Sequence, residues 1–245
     1  MQISGYNVPP SGINRFKSKF NRGNGLGKFK GIHAGKSAIL FGSGPTAKKY
    51  EPFEGSEDCI KVGVNAVFRW HPEPMETLDY WFFGSEYYNN REGFGDDPED
   101  YDAVLFDDRY KHITKFCSAY ENGRSHGDIG RGNITPERAR EVGGIPFENN
   151  LETFTNDLEE YSTVGHSVVF PALQLILYTG VKKIYLVGCD GGFTDSRCNQ
   201  YDDPWLMHWW GEFKKFIGIC YPDVEIVSIN PVSLRGWFID AVVED

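Results

Sequence analysis

Nowhere in its 245 residues does the chain carry a run of 18 apolar residues, so no segment is expected to cross a membrane as a helix. Its opening residues also lack the apolar core of a signal peptide. The five cysteines, Cys59, Cys117, Cys189, Cys198 and Cys220, are odd in number, and none stands in Cys-x-x-Cys spacing. That argues against a disulfide framework or a zinc site and for reduced thiols. A cytoplasmic protein is expected, at most peripheral to the inner membrane face. Acidic residues are missing from the first 50 positions, which hold nine Lys or Arg; the other 16 basic residues face all 35 acidic ones beyond that point. Residues 1–35, rich in Gly, Asn, Ser and Lys, read as a flexible basic arm suited to an anionic membrane surface or to the chain's own acidic body. Nucleic acid is disfavoured as a partner, because a body with this acidic excess repels phosphate. There is no internal repeat. The oligomeric state is not written in the sequence.

What is present is an α/β pattern of a length that suits one domain. The most informative stretch runs from Ser37 to Thr46, where the apolar run Ala38 to Phe41 ends in a Gly-Ser-Gly-Pro turn. The run has no polar alternation, as expected of a parallel strand buried on both faces. Gly42 and Gly44 permit close backbone approach, Pro45 suits the first turn of a helix, and an anion is expected at that helix N-terminus. The turn lacks the third glycine of a dinucleotide fingerprint, which disfavours hydride chemistry. The Ala-Gly-Lys-Ser run at 34–37 is not a Walker loop either: Lys30 occupies its first glycine position, and the run precedes a strand instead of following one.

The alternation predicts strands over 37–42, 60–64, 80–84, 102–106, 183–188 and 224–229, and helices from Pro45 and over 167–179 and 205–219. This is a single Rossmann-like domain spanning 36–245, with a mostly parallel sheet and flanking helices. Residues 93–157, acidic and Gly-rich, read as an irregular insertion over the sheet's carboxyl edge. The aromatic clusters Tyr80 to Tyr88 and Trp205 to Trp210 are expected to line a cleft in part. Small hydroxyl residues, Ser162, Thr163 and Ser167, open the helix at 167, Gly180 closes it, and the next strand delivers Asp190 to the edge where ligands bind in open α/β sheets.

Taken together, the Gly-Ser-Gly-Pro-Thr turn, the strand ending in Asn65, the segment 180–190 ending in Asp190 and the later His208 resemble the small bacterial sialyltransferases that modify lipo-oligosaccharide. The same skeleton is similar to the related family of 6-hydroxymethylpterin diphosphokinase-like proteins. The first resemblance implies transfer of a sialic-acid-like sugar from a cytidine monophosphate donor to a glycan hydroxyl, with no cofactor required. It implies a nucleotide held by Gly42, Ser43, Gly44, Pro45, Thr46 and Asn65, with Ser43 in place of the family's Asn, and assigns the general base to His208. A neutral imidazole suits that task. The family neutralises its leaving group with two tyrosines, of which only Tyr201 has a counterpart here.

His166 at the opening of the 167–179 helix is a second candidate base or phosphate donor. Ser162, Thr163, Ser167 and Asp190 are further candidate nucleotide contacts. The diphosphokinase resemblance implies instead a Mg²⁺ held by Asp190 and Asp195 with the phosphates of ATP. A noncatalytic nucleotide- or glycan-binding module is the third alternative.

Overall fold

The computed structural model describes residues 25–69, 72–84, 103–119, 135–150, 154–161, 163–164, 167–190 and 204–242. Eight strands form one sheet: β1 (Ser37–Phe41), β2 (Ile60–Val64), β3 (Tyr80–Phe83), β4 (Thr114–Ser118), β5 (Gly144–Phe147), β8 (Lys183–Val187), β9 (Glu225–Ile229) and β10 (Ile239–Ala241). Two short strands, β6 (Asn149–Asn150) and β7 (Thr163–Val164), pair apart from it. The order across the large sheet is β10-β9-β8-β1-β2-β3-β4-β5, and every pairing is parallel. The domain is therefore an α/β, Rossmann-like fold.

Each central strand alternates its side chains between two cores. From β1, Ala38 and Leu40 enter one core, while Ile39 and Phe41 enter the other. The first core is covered by α3 (Val169–Tyr178), buried along its whole length, and by α4 (Pro204–Cys220). From α4, Trp209, Trp210, Phe213, Phe216 and Ile217 are buried, one stripe at helical spacing. Phe170 of α3 meets Trp210 edge-on at 5.2 Å, and Phe154 stacks on Phe216 at 5.4 Å. Full burial of such side chains contributes roughly 1.5–3 kcal/mol each. The second core lies under shorter pieces: a 3₁₀ turn at Pro45–Lys49, α1 (Pro72–Thr77) and α2 (Pro136–Glu141), with Ala47, Met75 and Ala139 buried against the strands.

Several expectations need correction. Residues 103–105 form a helical turn, not a strand, which buries Val104 and Leu105 together. The fourth strand is 114–118, disguised by Lys115, a buried lysine whose ammonium donates to the Tyr110 carbonyl at 2.9 Å. The stretch 93–157 is not an irregular insertion throughout, because it supplies β4, α2 and β5. Pro146 is tolerated in β5 because that strand is the sheet's edge. Tyr80 to Phe83 line no cleft, being buried in β3. The chain after Pro45 makes five residues of 3₁₀ turn. The helix expected from 167 starts at Val169, and its cap residue Val168 makes no side-chain capping bond.

Residues 25–35, read as part of the arm, are folded onto the domain. Leu26 and Phe29 are buried in the first core. The N–H groups of Gly31, His33 and Gly35 donate to the carbonyls of Tyr178, Thr179 and Gly180 at 3.0, 2.9 and 3.0 Å, satisfying carbonyls that the end of α3 leaves open. Among the described residues no helix is long and apolar enough to cross a membrane.

Candidate functional site

Strand order reverses between β1 and β8: from β1 the chain builds outward to β5 on one side, and from β8 to β10 on the other. In open α/β sheets the crevice outside the carboxyl ends at such a point is the ligand site. Here the two strand ends almost touch. Gly42 N–H donates to the Val187 carbonyl at 2.7 Å, and Gly44 N–H to the Gly188 carbonyl at 2.9 Å. A Cβ on Gly42 would run into the Gly188 carbonyl oxygen, and one on Gly44 would meet that oxygen at 2.5 Å and also the Asp190 carboxylate. Gly188 has φ +64°, and a Cβ there would lie 2.5 Å from that of Ala47. Side chains are excluded from all three positions, so that two turns can share one narrow seat.

Asp190 closes that seat. Its side chain is buried, with 4% of the residue exposed; Oδ2 accepts the Thr46 backbone N–H at 2.9 Å, and Oδ1 accepts the Thr46 hydroxyl. Burial raises its pKa above the usual carboxylate value, while the two Thr46 bonds pull it back. The anion expected at the mouth of the Pro45–Lys49 turn is thus the protein's own carboxylate, so the seat offers no free N–H at Thr46 to a phosphate. The neighbouring Cys189 thiol is driven up by burial and by Asp190.

Around this seat the sequence candidates fall as follows. Ser43 and Thr46 are half-buried, and Pro45 is exposed at the turn. Asn65 follows β2 in a left-handed conformation with φ 49°. Its backbone N–H donates to the Phe82 carbonyl at 2.7 Å, its own carbonyl accepts the Trp81 indole N–H at 2.8 Å, and its amide oxygen accepts Gly84 N–H at 3.4 Å. The amide N–H donors of Asn65 are then what it has to offer a ligand.

Thr163 is buried, its N–H and hydroxyl both donating to the Glu148 carbonyl at 2.8 and 3.2 Å. Ser167 is half-buried just ahead of α3, and its carbonyl accepts Phe170 N–H at 3.0 Å. His208 is exposed near the start of α4, its ring 5.6 Å from that of Trp209. The α4 helix is the crossover between the parallel strands β8 and β9, so it starts on the carboxyl side of the sheet, and His208 lies in its second turn. Ser162, His166, Asp195 and Tyr201 lie outside the described residues.

Two residues at these strand ends were not singled out by the sequence. Gly188 sits in the Val-Gly-Cys-Asp end of β8, where a glycine between a buried strand and an Asp was the available signal. Asn230, directly after β9, has φ 49°; nothing in sequence separates it from an ordinary loop asparagine.

Each Asp190 oxygen accepts one bond from Thr46, and a carboxylate oxygen has a second lone pair to offer. Among the described residues no group of three His, Cys, Asp or Glu side chains is placed to hold a metal.

No known family model matches the chain, and no curated protein matches it. Among solved structures it is similar to the MAf glycosyltransferase from Magnetospirillum magneticum AMB-1, at 14% identity and a TM-score of 0.49. The match covers 92% of this chain and 40% of that one, so the chain spans about two fifths of that protein's length.

Proposed function

We propose that the chain transfers a sugar from a nucleotide donor, cytidine monophosphate linked to a sialic-acid-like keto-acid sugar, to a hydroxyl of a glycan. The observation that carries this reading is the glycine seat at the β1/β8 switch point, locked by Asp190 and Thr46, with His208 of α4 at the same sheet edge. The seat gives flat backbone for a nucleoside to lie on. Its buried carboxylate disfavours a heavily charged phosphate chain directly above it, which suits a monophosphate donor better than ATP. A diphosphokinase would need Asp190, already accepting two bonds from Thr46, to take up a metal as well.

In the reaction, the His208 imidazole removes the proton of the acceptor hydroxyl. The oxygen attacks the anomeric carbon, the bond from that carbon to the phosphate oxygen breaks, and the electron pair departs with cytidine monophosphate. A group that donates hydrogen bonds to the leaving phosphate is required, and Tyr201 is the residue proposed for it. His208 is exposed, so its replacement spares the core.

The test is turnover of cytidine monophosphate-linked sialic acid with lactose as acceptor, followed by release of cytidine monophosphate. His208→Gln is expected to lower kcat by about 10²–10³ while leaving the melting temperature and the Kd for cytidine monophosphate as in wild type. Unchanged kcat in that variant removes His208 from the mechanism, and a wild-type chain that binds no cytidine nucleotide removes the reading altogether.

A further inference from the structure

Among the described residues two non-glycine positions hold a left-handed backbone, Asn65 and Asn230, both with φ 49°. Each is the first residue after a strand of the large sheet, β2 in one case and β9 in the other. The order β9-β8-β1-β2 makes these strands the outer neighbours of the switch-point pair, so the two asparagines bracket the crevice from opposite sides. The register supports this placement. Gly63, Phe41, Val187 and Ile229 form one row across the four strands; Asn230 is the first residue beyond the row and Asn65 the second. Three strand spacings separate them, about 14 Å, a span suited to a nucleotide joined to a sugar.

The conformation at 230 is held against resistance. Asparagine enters the left-handed region more readily than other side chains, but Pro231 restricts the residue before it to extended backbone. Asn230 is nonetheless fixed there, its N–H donating to the Ala241 carbonyl of β10 at 2.8 Å. Backbone outliers of this kind gather where a ligand is held. The two sides also differ chemically. The α4 helix joins β8 to β9, which puts His208 on the Asn230 side, while Asn65 adjoins the glycine turn of β1.

Resting on the glycosyl-transfer reading, we propose that the crevice is divided: Asn65 binds the nucleoside over β1 and β2, and Asn230 binds the sugar being transferred, over β8 and β9 beside His208. Asn230 is thus a sugar-binding residue that helps choose the donor.

Glycine adopts φ 49° without strain, so Asn65→Gly and Asn230→Gly remove the side chains and keep the turns. Cytidine monophosphate probes the nucleoside side alone, and cytidine monophosphate-linked sialic acid probes the whole donor. Asn65→Gly is expected to weaken cytidine monophosphate about tenfold, the loss of one or two hydrogen bonds. Asn230→Gly should leave that Kd within about twofold yet lower kcat/KM for the sugar nucleotide about tenfold or more. Asn230→Asp keeps the shape, loses the amide donors, and should repeat the second result.

The division is overturned if Asn230→Gly weakens cytidine monophosphate as much as Asn65→Gly does, or if both Asn230 variants turn over the donor like wild type. In either event the glycosyl-transfer reading stands. A wild-type chain that binds no cytidine monophosphate ends both.

Discussion

The same two strands, β1 and β8, are closed off differently at their two ends. At the carboxyl end Gly42, Gly44 and Gly188 let the turns approach until no Cβ fits, and a buried carboxylate bridges them. At the amino end Gly31 and Gly35 have φ of +70° and +80° with open space where a Cβ would stand. There the chain is secured by backbone bonds, including Lys182 N–H to the Lys36 carbonyl at 2.8 Å. Aromatic mass adds to this, Phe29 lying edge-on to Tyr80 at 5.9 Å and to Phe116 at 5.3 Å. His33 completes that end by pairing with the Tyr80 hydroxyl at 2.6 Å, a phenol that burial pushes up to about 12. Glycine thus has two meanings on one sheet: at the carboxyl end it makes room, while Gly31 and Gly35 at the other only permit a turn. Closeness that excludes every side chain serves the end where a ligand would lie.

The largest expected effect tests that distinction directly. Gly44→Ala sets a methyl group against the Gly188 carbonyl and the buried Asp190 carboxylate, neither free to retreat, and should cost about 3 kcal/mol or more in urea unfolding. Gly31→Ala and Gly35→Ala should cost only about 1 kcal/mol each, the strain of a left-handed alanine. Equal costs at the two ends would break the comparison.

Next in size is Thr46→Val, which removes one of the two donors to Asp190 and leaves a buried oxygen unmatched. A loss of about 1–3 kcal/mol is expected, read by the same unfolding curves. An unchanged midpoint would show that the carboxylate is not held by Thr46 in solution.

The smallest effects concern pH, and the two ends should respond with opposite sign. Burial raises the Asp190 pKa from 3.8, so the stability this group contributes is fully present below 3.8 and lost as pH rises through its folded value. Relative to Asp190→Asn, wild type should therefore weaken as pH climbs. His33 is shifted the other way, lowered from 6.5 by burial and by Lys36, with Asp79 opposing. Its contribution is present above 6.5 and lost as pH falls, so wild type should weaken relative to His33→Gln on acidification. Slopes of the same sign in the two pairs would contradict the structure.

Much of the fold was legible because buried parallel strands announce themselves. Ala38 to Phe41 and Ile184 to Val187 carry no polar alternation, and β2 and β9 were placed within a residue of their ends. Strands with a compromised pattern were lost: β4 hides its character behind a buried lysine, β5 contains Gly144 and Pro146, and β10 is three residues long. Of the candidate site, the positions of the glycine turn, Asn65 and Asp190 at strand ends could be read, because strand ends are fixed once the strands are. What Asp190 does could not be read, since its engagement with Thr46 joins residues 144 positions apart. The conformation of Asn230 was equally hidden, depending on β10 pairing back on β9.

The chain enters its own sheet in the middle, and this has a consequence for the order of assembly. β1 meets β2 from the residues that follow it closely, but its other neighbour arrives only once residues 183–187 exist. On a ribosome, strands β1 to β5 emerge together with one flank of β1 open, an unpaired edge at what becomes the centre. Closing it joins distant parts of the sequence, a slow kind of step. The glycine seat does not exist before that step, because half of it is Gly188 and Asp190. A nascent chain released short of β8 would be a sticky half-sheet without a crevice.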